Sequence, residues 1–302
     1  MEWLSVGARG GAEVRPVGQG ALRVYRRGSA EPLAALFGPG ETASAIVEGD
    51  ARQVLRGMPS EAFRTCVTSP PYWSLRDYGI EGQIGLELSV QGYVEALAGA
   101  FSEVRRVLAD DGTLWLNVGD SYTSGGRTWR APDRKNPVRA MDVRPPTPAG
   151  LKPKDLVGVP WRLALALQAA GWYLRADIIW SKPNCQPESV RDRPTRCHEY
   201  LFLLSKSERY YYDDRAVRGP RDRRLRTVWE ISTRARGDVH VATFPPELVA
   251  PCVASGSERG DLVLDPFAGS GTTGWVAMRT GRRFVGVELN PAYVEAAARR
   301  LA

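Results

Sequence analysis

Short apolar runs that alternate with helix-periodic stretches constrain this chain more than any other feature. "SAIVE", "FRTCVT", "TLWLNV", "YLRADIIW", "EYLFLLS", "LVLD" and "RRFVGVE" are each only a few residues long and largely apolar. Between them lie "ARQVLRGM", "VQGYVEALAGAFSEVRRVLADDG", "LVGVPWRLALALQAAGW", "FPPELVAPCVASG" and "GTTGWVAMRTG", with apolar residues at helical spacing. Strands covered by helices on both faces read as unbroken apolar runs. The alternation therefore specifies an α/β protein with a mainly parallel sheet. The long second helix is expected to stop at Asp111-Gly112. "EYLFLLSKSERYYYD" reads as two strands around a turn at Lys206-Ser207, and "ALRVYRRG" as a short strand. Residues 1–43 are otherwise glycine-rich with little periodicity, an N-terminal extension ahead of a domain over 44–302.

"TSPPYWSLRDYG" (68–79) breaks the pattern directly after a buried strand. Two prolines fix their own φ and donate no N–H, so this is neither helix interior nor central strand. A residue ahead of a proline is pushed to extended geometry, which holds Ser69 and Pro70 extended. The result is a stiff turn with a fixed hydroxyl, fixed carbonyls, and the flat rings of Tyr72 and Trp73 beside them. It suits a planar, polar ligand.

"LDPFAGSGTTG" places Gly269, Gly271 and Gly274 in G-x-G-x-x-G spacing between a strand and a helix. Glu288 follows about 20 residues on, ending the next strand. Glycines there allow close backbone approach, and the acid accepts hydrogen bonds from ribose hydroxyls. Asp265-Pro266, just ahead of the loop, adds negative charge that would repel a pyrophosphate. A sulfonium cofactor such as S-adenosylmethionine has no phosphate and suits the acid; nicotinamide and flavin nucleotides do not.

Composition narrows the partners. The chain has 302 residues, 43% hydrophobic and 25% charged, as a globular protein has. No apolar run approaches the about 18 residues of a membrane span, and the first residues lack a secretion signature, so cytoplasm and no membrane are expected. Cys66, Cys185, Cys197 and Cys252 form no disulfide framework, and without C-x-x-C spacing no metal is expected. The net charge of +7 is nearly all arginine and is concentrated in 125–154 and 213–237. Cations interleaved with aromatics suit a phosphate backbone and unstacked bases; two solvated loops are the plainer alternative. Trp73, Arg127, Arg130, Arg191, Arg193, Arg223 and Arg224 are the candidate DNA contacts, within insertions near 121–154 and 183–238 apart from Trp73.

With both motifs in view, the chain resembles the DNA amino-methyltransferases of the N4-cytosine/N6-adenine type. "TSPPYW" resembles their catalytic motif and "DPFAGSGTT" their cofactor loop. "FVGVELNPAYVEAA", "HVATFPPELV" and "VEGDARQVL" resemble the ribose-acid, methionine-wall and adenine-contact segments. The catalytic motif precedes the cofactor loop, as in the permuted β group. The resemblance implies a seven-stranded, Rossmann-like sheet with helices on both faces and S-adenosyl-L-methionine as cofactor. It implies cofactor contacts from Asp50, Thr243, Phe244, Asp265, Pro266, Phe267, Gly269, Ser270, Gly271, Thr272, Glu288, Leu289 and Asn290, and catalysis by Ser69, Pro70, Pro71 and Tyr72. Serine at 69 resembles the N4-cytosine branch, whereas aspartate would favour N6-adenine.

The expected activity is methyl transfer to the N4 amine of a cytosine flipped out of duplex DNA, Ser69 Oγ and the Pro70 carbonyl accepting its two hydrogens and Tyr72 stacking on the base. The setting is a restriction-modification system with a cognate endonuclease, or an orphan enzyme, acting as monomer or homodimer. N6-adenine methylation and an inactive DNA-binding subunit are the alternatives. The segment 213–239 is too short for a separate target-recognition domain. Cys252, after a proline, reads as core; His198 and Glu199 read as pinning a loop; Arg76 and Asp77 as ordering the catalytic turn.

Overall fold

Along the buried strands, alternate side chains enter two different cores. The computed structural model describes residues 13–17, 20–27, 33–38, 40–123, 129–131, 140–141, 144–233 and 244–302. In β4 (Phe63–Thr68), Cys66 packs into one core and Val67 into the other; in β9 (Leu262–Asp265), Leu264 and Val263 divide the same way. Successive side chains of a strand point to opposite faces, so both faces must be covered. Helices α1 (Ala51–Arg56), α2 (Val90–Val107) and α3 (Val159–Ala169) cover one face. Helices α4 (Pro246–Gly256), α5 (Thr272–Arg279) and α6 (Pro291–Leu301) cover the other. In α2, Leu97, Phe101 and Val104 recur at helical spacing and are fully buried, each contributing about 2 kcal/mol by area.

The remaining strands are β1 (Glu13–Val17), β2 (Gly20–Tyr25), β3 (Ser44–Glu48), β5 (Leu108–Val118), β6 (Tyr173–Ser181), β7 (His198–Ser205), β8 (Val228–Glu230) and β10 (Arg283–Glu288). They form one sheet in the order β1-β2-β3-β10-β9-β4-β5-β7-β6-β8. The expected seven strands are its contiguous centre, β3 to β6, with β1, β2 and β8 added at the edges. Strands β3, β10, β9, β4 and β5 run parallel, and β7 is antiparallel to both β5 and β6. Among the described residues, no helix is long and apolar enough to cross a membrane.

Three local expectations are corrected. Helix α2 ends at Val107 rather than at Asp111-Gly112, because Leu108 turns extended and pairs with Phe63. Pairing then jumps to Thr65 opposite Thr113, and residues 109–112 fold back so tightly that a Cβ at Gly112 would lie 2.9 Å from the Ala109 carbonyl. The second arm of the expected hairpin after Lys206 is no strand; the Tyr211 and Asp213 N–H groups donate instead to the Asp111 and Ser255 carbonyls. Cys185 and Cys197 are joined by a disulfide, because the segment leaving β6 doubles back onto the start of β7, where Lys182 N donates to Cys197 O at 2.7 Å. Cys66 and Cys252 are buried thiols, and Cys252 lies in the α4 core as expected.

Candidate active site

Connections from β9 run through α5 to β10 on one side, while those from β4 run through α2 to β5 on the other. In an open parallel sheet, the crevice beyond the strand ends at such a reversal receives ligands. The C-terminal ends of β3, β10, β9, β4 and β5 deliver Asp50, Glu288, Gly269, Ser69 and Asp120 to this edge. Because β7 is antiparallel, its first residues, His198 and Glu199, arrive there too, beside Lys182 at the end of β6. All these residues line one cleft of about 1000 Å³, so the hydroxyl turn and the glycine loop share a single space.

Glu288 stands at the centre of the cofactor side. Its carboxylate accepts from Gly269 N and from Asn290 N, both at 2.8 Å, and burial pushes its pKa up to about 7. Asn290 caps α6, and Gly269 has φ +53°, which a β-carbon would strain. Arg300 on α6 holds the loop by donating to the Ser270 carbonyl at 3.3 Å and to Thr272 Oγ1 at 2.8 Å. Asp50, Phe244, Pro266, Phe267, Ser270, Thr272 and Leu289 complete this wall. Asp50 also caps α1 through Arg52 N and pairs with the Arg52 guanidinium. This side of the cleft, with Glu288 and Asp50 among apolar flanks, fits an adenosine without phosphates.

The expected contact from Asp265 is corrected. It is 1% exposed and does not line the cleft. Its carboxylate lies under the loop, accepting from Thr68 Oγ1 at 2.7 Å, Thr273 Oγ1 at 2.8 Å and Phe267 N at 3.1 Å. Burial pushes its pKa up to about 6. Asp265 thus clasps the end of β4 to the glycine loop, and on this side of the cleft the acids that line it are Glu288 and Asp50. Gly271 does not line the cleft either: it is the left-handed N-cap of α5, where a Cβ would lie 3.3 Å from Ala297. Thr243 lies outside the described residues.

On the catalytic side, Tyr93 Oη donates to the Pro71 carbonyl at 2.8 Å and fixes the turn. Among the described residues no donor reaches the Pro70 carbonyl. Tyr72 Oη donates to Glu199 Oε2 at 2.6 Å, while Asn117 Nδ2 donates to the same oxygen at 3.0 Å. Burial first, and then the Glu199 charge, pushes the Tyr72 phenol well above its ordinary value. Lys182 pairs with Glu199 Oε1 and stands 4.1 Å from the centre of the Trp180 ring. The Tyr72 ring is seated against Gly119, where a Cβ would come within 2.5 Å of it. Asn117, Lys182 and Glu199 were not among the expected site residues. Their one sequence signal is polarity at the ends of apolar strands, "LWLN", "IIWSK" and "HEYLFLL".

The expected DNA contacts divide. Trp73 is core, 5% exposed, with its indole N–H donating to the Glu87 carbonyl. Arg130 reaches back to the Ser74 and Leu75 carbonyls at 3.2 and 3.0 Å and so holds the catalytic turn. Arg193 pairs with Glu188 at 2.6 Å and covers the Tyr122 ring, and Arg224 lies 3.8 Å from Asp214. Arg191 and Arg223 are exposed, with no acidic partner among the described residues. Arg127 lies outside the described residues. Asp77 accepts from Gly79 N at 2.7 Å, ordering its own loop.

An open α/β sheet whose switch point joins a ribose-type acid to a proline-bounded hydroxyl is the arrangement of an S-adenosylmethionine-dependent methyltransferase. The chain belongs to the DNA methylase family, whose model matches residues 63–299. It is 60% identical over 262 residues to the type II methyltransferase M.XycI of Xanthomonas campestris pv. cyanopsidis, covering 85% of this chain and 87% of that protein. A Thermus thermophilus protein described as a DNA modification methylase, solved with S-adenosyl-L-methionine, superimposes with TM-score 0.62 at 29% identity, covering 85% of this chain and 92% of its own. The cytosine-N4-specific PvuII DNA methyltransferase shares the fold, with TM-score 0.65 at 23% identity over 85% of this chain and 86% of its own.

Proposed function

We propose that this chain is a type II modification enzyme that methylates the exocyclic N4 amine of cytosine in duplex DNA. One observation carries the reading: Ser69, a neutral hydroxyl, opens the catalytic turn and shares a cleft with Glu288 and Gly269. An aromatic amine is a weak nucleophile because its lone pair is delocalised into the ring. Ser69 Oγ and the Pro70 carbonyl accept its two hydrogens, which orients the nitrogen and favours a pyramidal lone pair. Glu288, Asn290 and the glycine loop hold the adenosine, and Phe244 walls the methionine end. Bound S-adenosylmethionine would supply an activated methyl group, its S–CH₃ bond breaking as the N–C bond forms and one N4 proton passing to water, while this chain supplies position and electrostatics. Asp50 contacts the adenine, and Tyr72 stacks on the flipped base, which reaches this depth only outside the helix.

The type II methyltransferase relatives support a bacterial cytoplasmic setting with a cognate endonuclease. The test is to incubate plasmid DNA with the protein and methyl-labelled S-adenosylmethionine, digest it, and identify the labelled nucleoside. N4-methyldeoxycytidine is expected, and N6-methyldeoxyadenosine would replace this reading with its rival. Ser69→Ala is expected to lower single-turnover methylation by about 100-fold, with cofactor affinity within about twofold of the parent.

A further inference from the structure

The cluster behind Ser69 has a fixed hydrogen-bond direction. Glu199 is the anionic half of an ion pair with Lys182, and such a carboxylate has lone pairs only. Every group against it must donate, as Tyr72 Oη does at 2.6 Å and Asn117 Nδ2 at 3.0 Å. With its one proton committed, the Tyr72 oxygen has only lone pairs left for Ser69 Oγ, 3.4 Å away. That contact is loose, of the kind that tightens when a ligand closes a site. The Ser69 proton therefore points at Tyr72, and Oγ faces the cleft with lone pairs alone.

We infer that Glu199, acting through Tyr72, sets the hydrogen-bond polarity of Ser69, so that the pocket admits a base with an exocyclic amine and rejects one with a carbonyl in its place. The inference rests on the reading of Ser69 as acceptor for the target amine. Cytosine carries an amine where uracil carries O4. The amine brings two N–H groups to the waiting lone pairs of Ser69 and Pro70. A carbonyl sets lone pairs against lone pairs and leaves both protein acceptors desolvated and unpaired, which sites of this kind reject strongly. Glu199 is a positioning residue in this scheme, since it touches no reacting atom.

Glu199→Gln tests it at nearly constant volume. The amide can turn its NH₂ toward Tyr72 Oη, which then accepts from it and turns its own O–H to donate to Ser69 Oγ, leaving the Ser69 hydroxyl to donate into the cleft. The substrates are duplexes carrying the mapped methylation site, with cytosine or uracil at the target position opposite an abasic site, so that pairing strength does not differ. With S-adenosylhomocysteine present, the parent protein is expected to bind the cytosine duplex at least about tenfold more tightly. Glu199→Gln should bring that ratio below about threefold and slow methylation about 100-fold, with S-adenosylmethionine affinity within about twofold. A Glu199→Gln protein that keeps the full preference overturns the inference, however slow it is, because a merely structural role would reduce rate alone. If that variant fails to bind cofactor, Tyr72→Phe decides instead: it frees the Ser69 rotor and must lose the preference, and retention overturns the inference. A parent protein that methylates no cytosine would sink the proposed function, a different outcome from either.

Discussion

Gly119 and Glu288 show how far single residues decide this site. A β-carbon at 119 would fall 2.5 Å from Tyr72 Cε2, inside any real contact, and the ring borders the cleft into which it can be pushed. Gly119→Ala should therefore move Tyr72 off Glu199, lowering methylation by about tenfold or more while leaving the melting temperature within a few degrees. Turnover equal to the parent's would show that the ring has no strict place. Burial pushes the Glu288 pKa up to about 7, and the ribose hydroxyls that the proposed function places against it would favour its ionised form. Cofactor binding should then release a proton below pH 7 and weaken by up to about tenfold per pH unit as the solution is acidified. Calorimetry at pH 6 in two buffers of different ionisation heat would show this, and identical heats would refute it. Ser69, Gly269 and Glu288 were legible in the sequence because turn chemistry and loop spacing are local. Glu199 was not, since it meets Tyr72 across 127 residues through an antiparallel strand, and a polar residue at a strand end has many uses.

At the scale of elements, the clasp between β4 and the cofactor loop is built on an acid that the fold prefers protonated. Asp265 has a folded pKa of about 6 against 3.8 when unfolded. A pKa raised by folding means that stability is fully present below the unfolded value and is lost as pH rises through the folded one. Between about pH 4 and pH 6 the parent should lose on the order of 3 kcal/mol from this group. Asn at 265 keeps the geometry: its oxygen accepts from Thr68 and Phe267, and its NH₂ donates to Thr273, whose proton has the Val67 carbonyl at 3.1 Å. Asp265→Asn should melt above the parent at pH 8 and with it near pH 3.5; lower stability at pH 8 would contradict the clasp. The strand–loop–helix order was readable because periodicity reports it. The burial of Asp265 was not, because an acid before a glycine loop reads equally well as ligand or as clasp, and only the β4–β9 pairing brings Thr68 to it. The early stop of α2 was hidden for a similar reason: "VLADDG" carries helix-compatible residues, and pairing of Leu108 with β4 overrides them.

For the whole molecule, the question is how much of the +7 charge is available to DNA. Arginine totals are visible in a sequence, but their partners are not. Of the six expected DNA-contacting arginines, Arg193 and Arg224 face acids, and Arg130 is committed to backbone carbonyls. A guanidinium already paired releases few counterions when a phosphate approaches, because the phosphate must first displace the carboxylate. Arg191 and Arg223 are exposed and face no acid among the described residues, so they should carry the electrostatic part of binding. Each free cation that meets a phosphate adds about 0.9 to the slope of log affinity against log salt. Replacing both with alanine should flatten that slope by about 2 and weaken binding to all duplexes alike, without touching S-adenosylmethionine affinity. Replacing Arg193 and Arg224 together should change the slope by less than about 1. Filter binding or anisotropy between 50 and 300 mM potassium chloride, at about constant pH, separates the pairs. Equal slopes for the two double variants would mean that the carboxylates yield to DNA, and that ion pairing in the free protein says nothing about which arginines meet the phosphates.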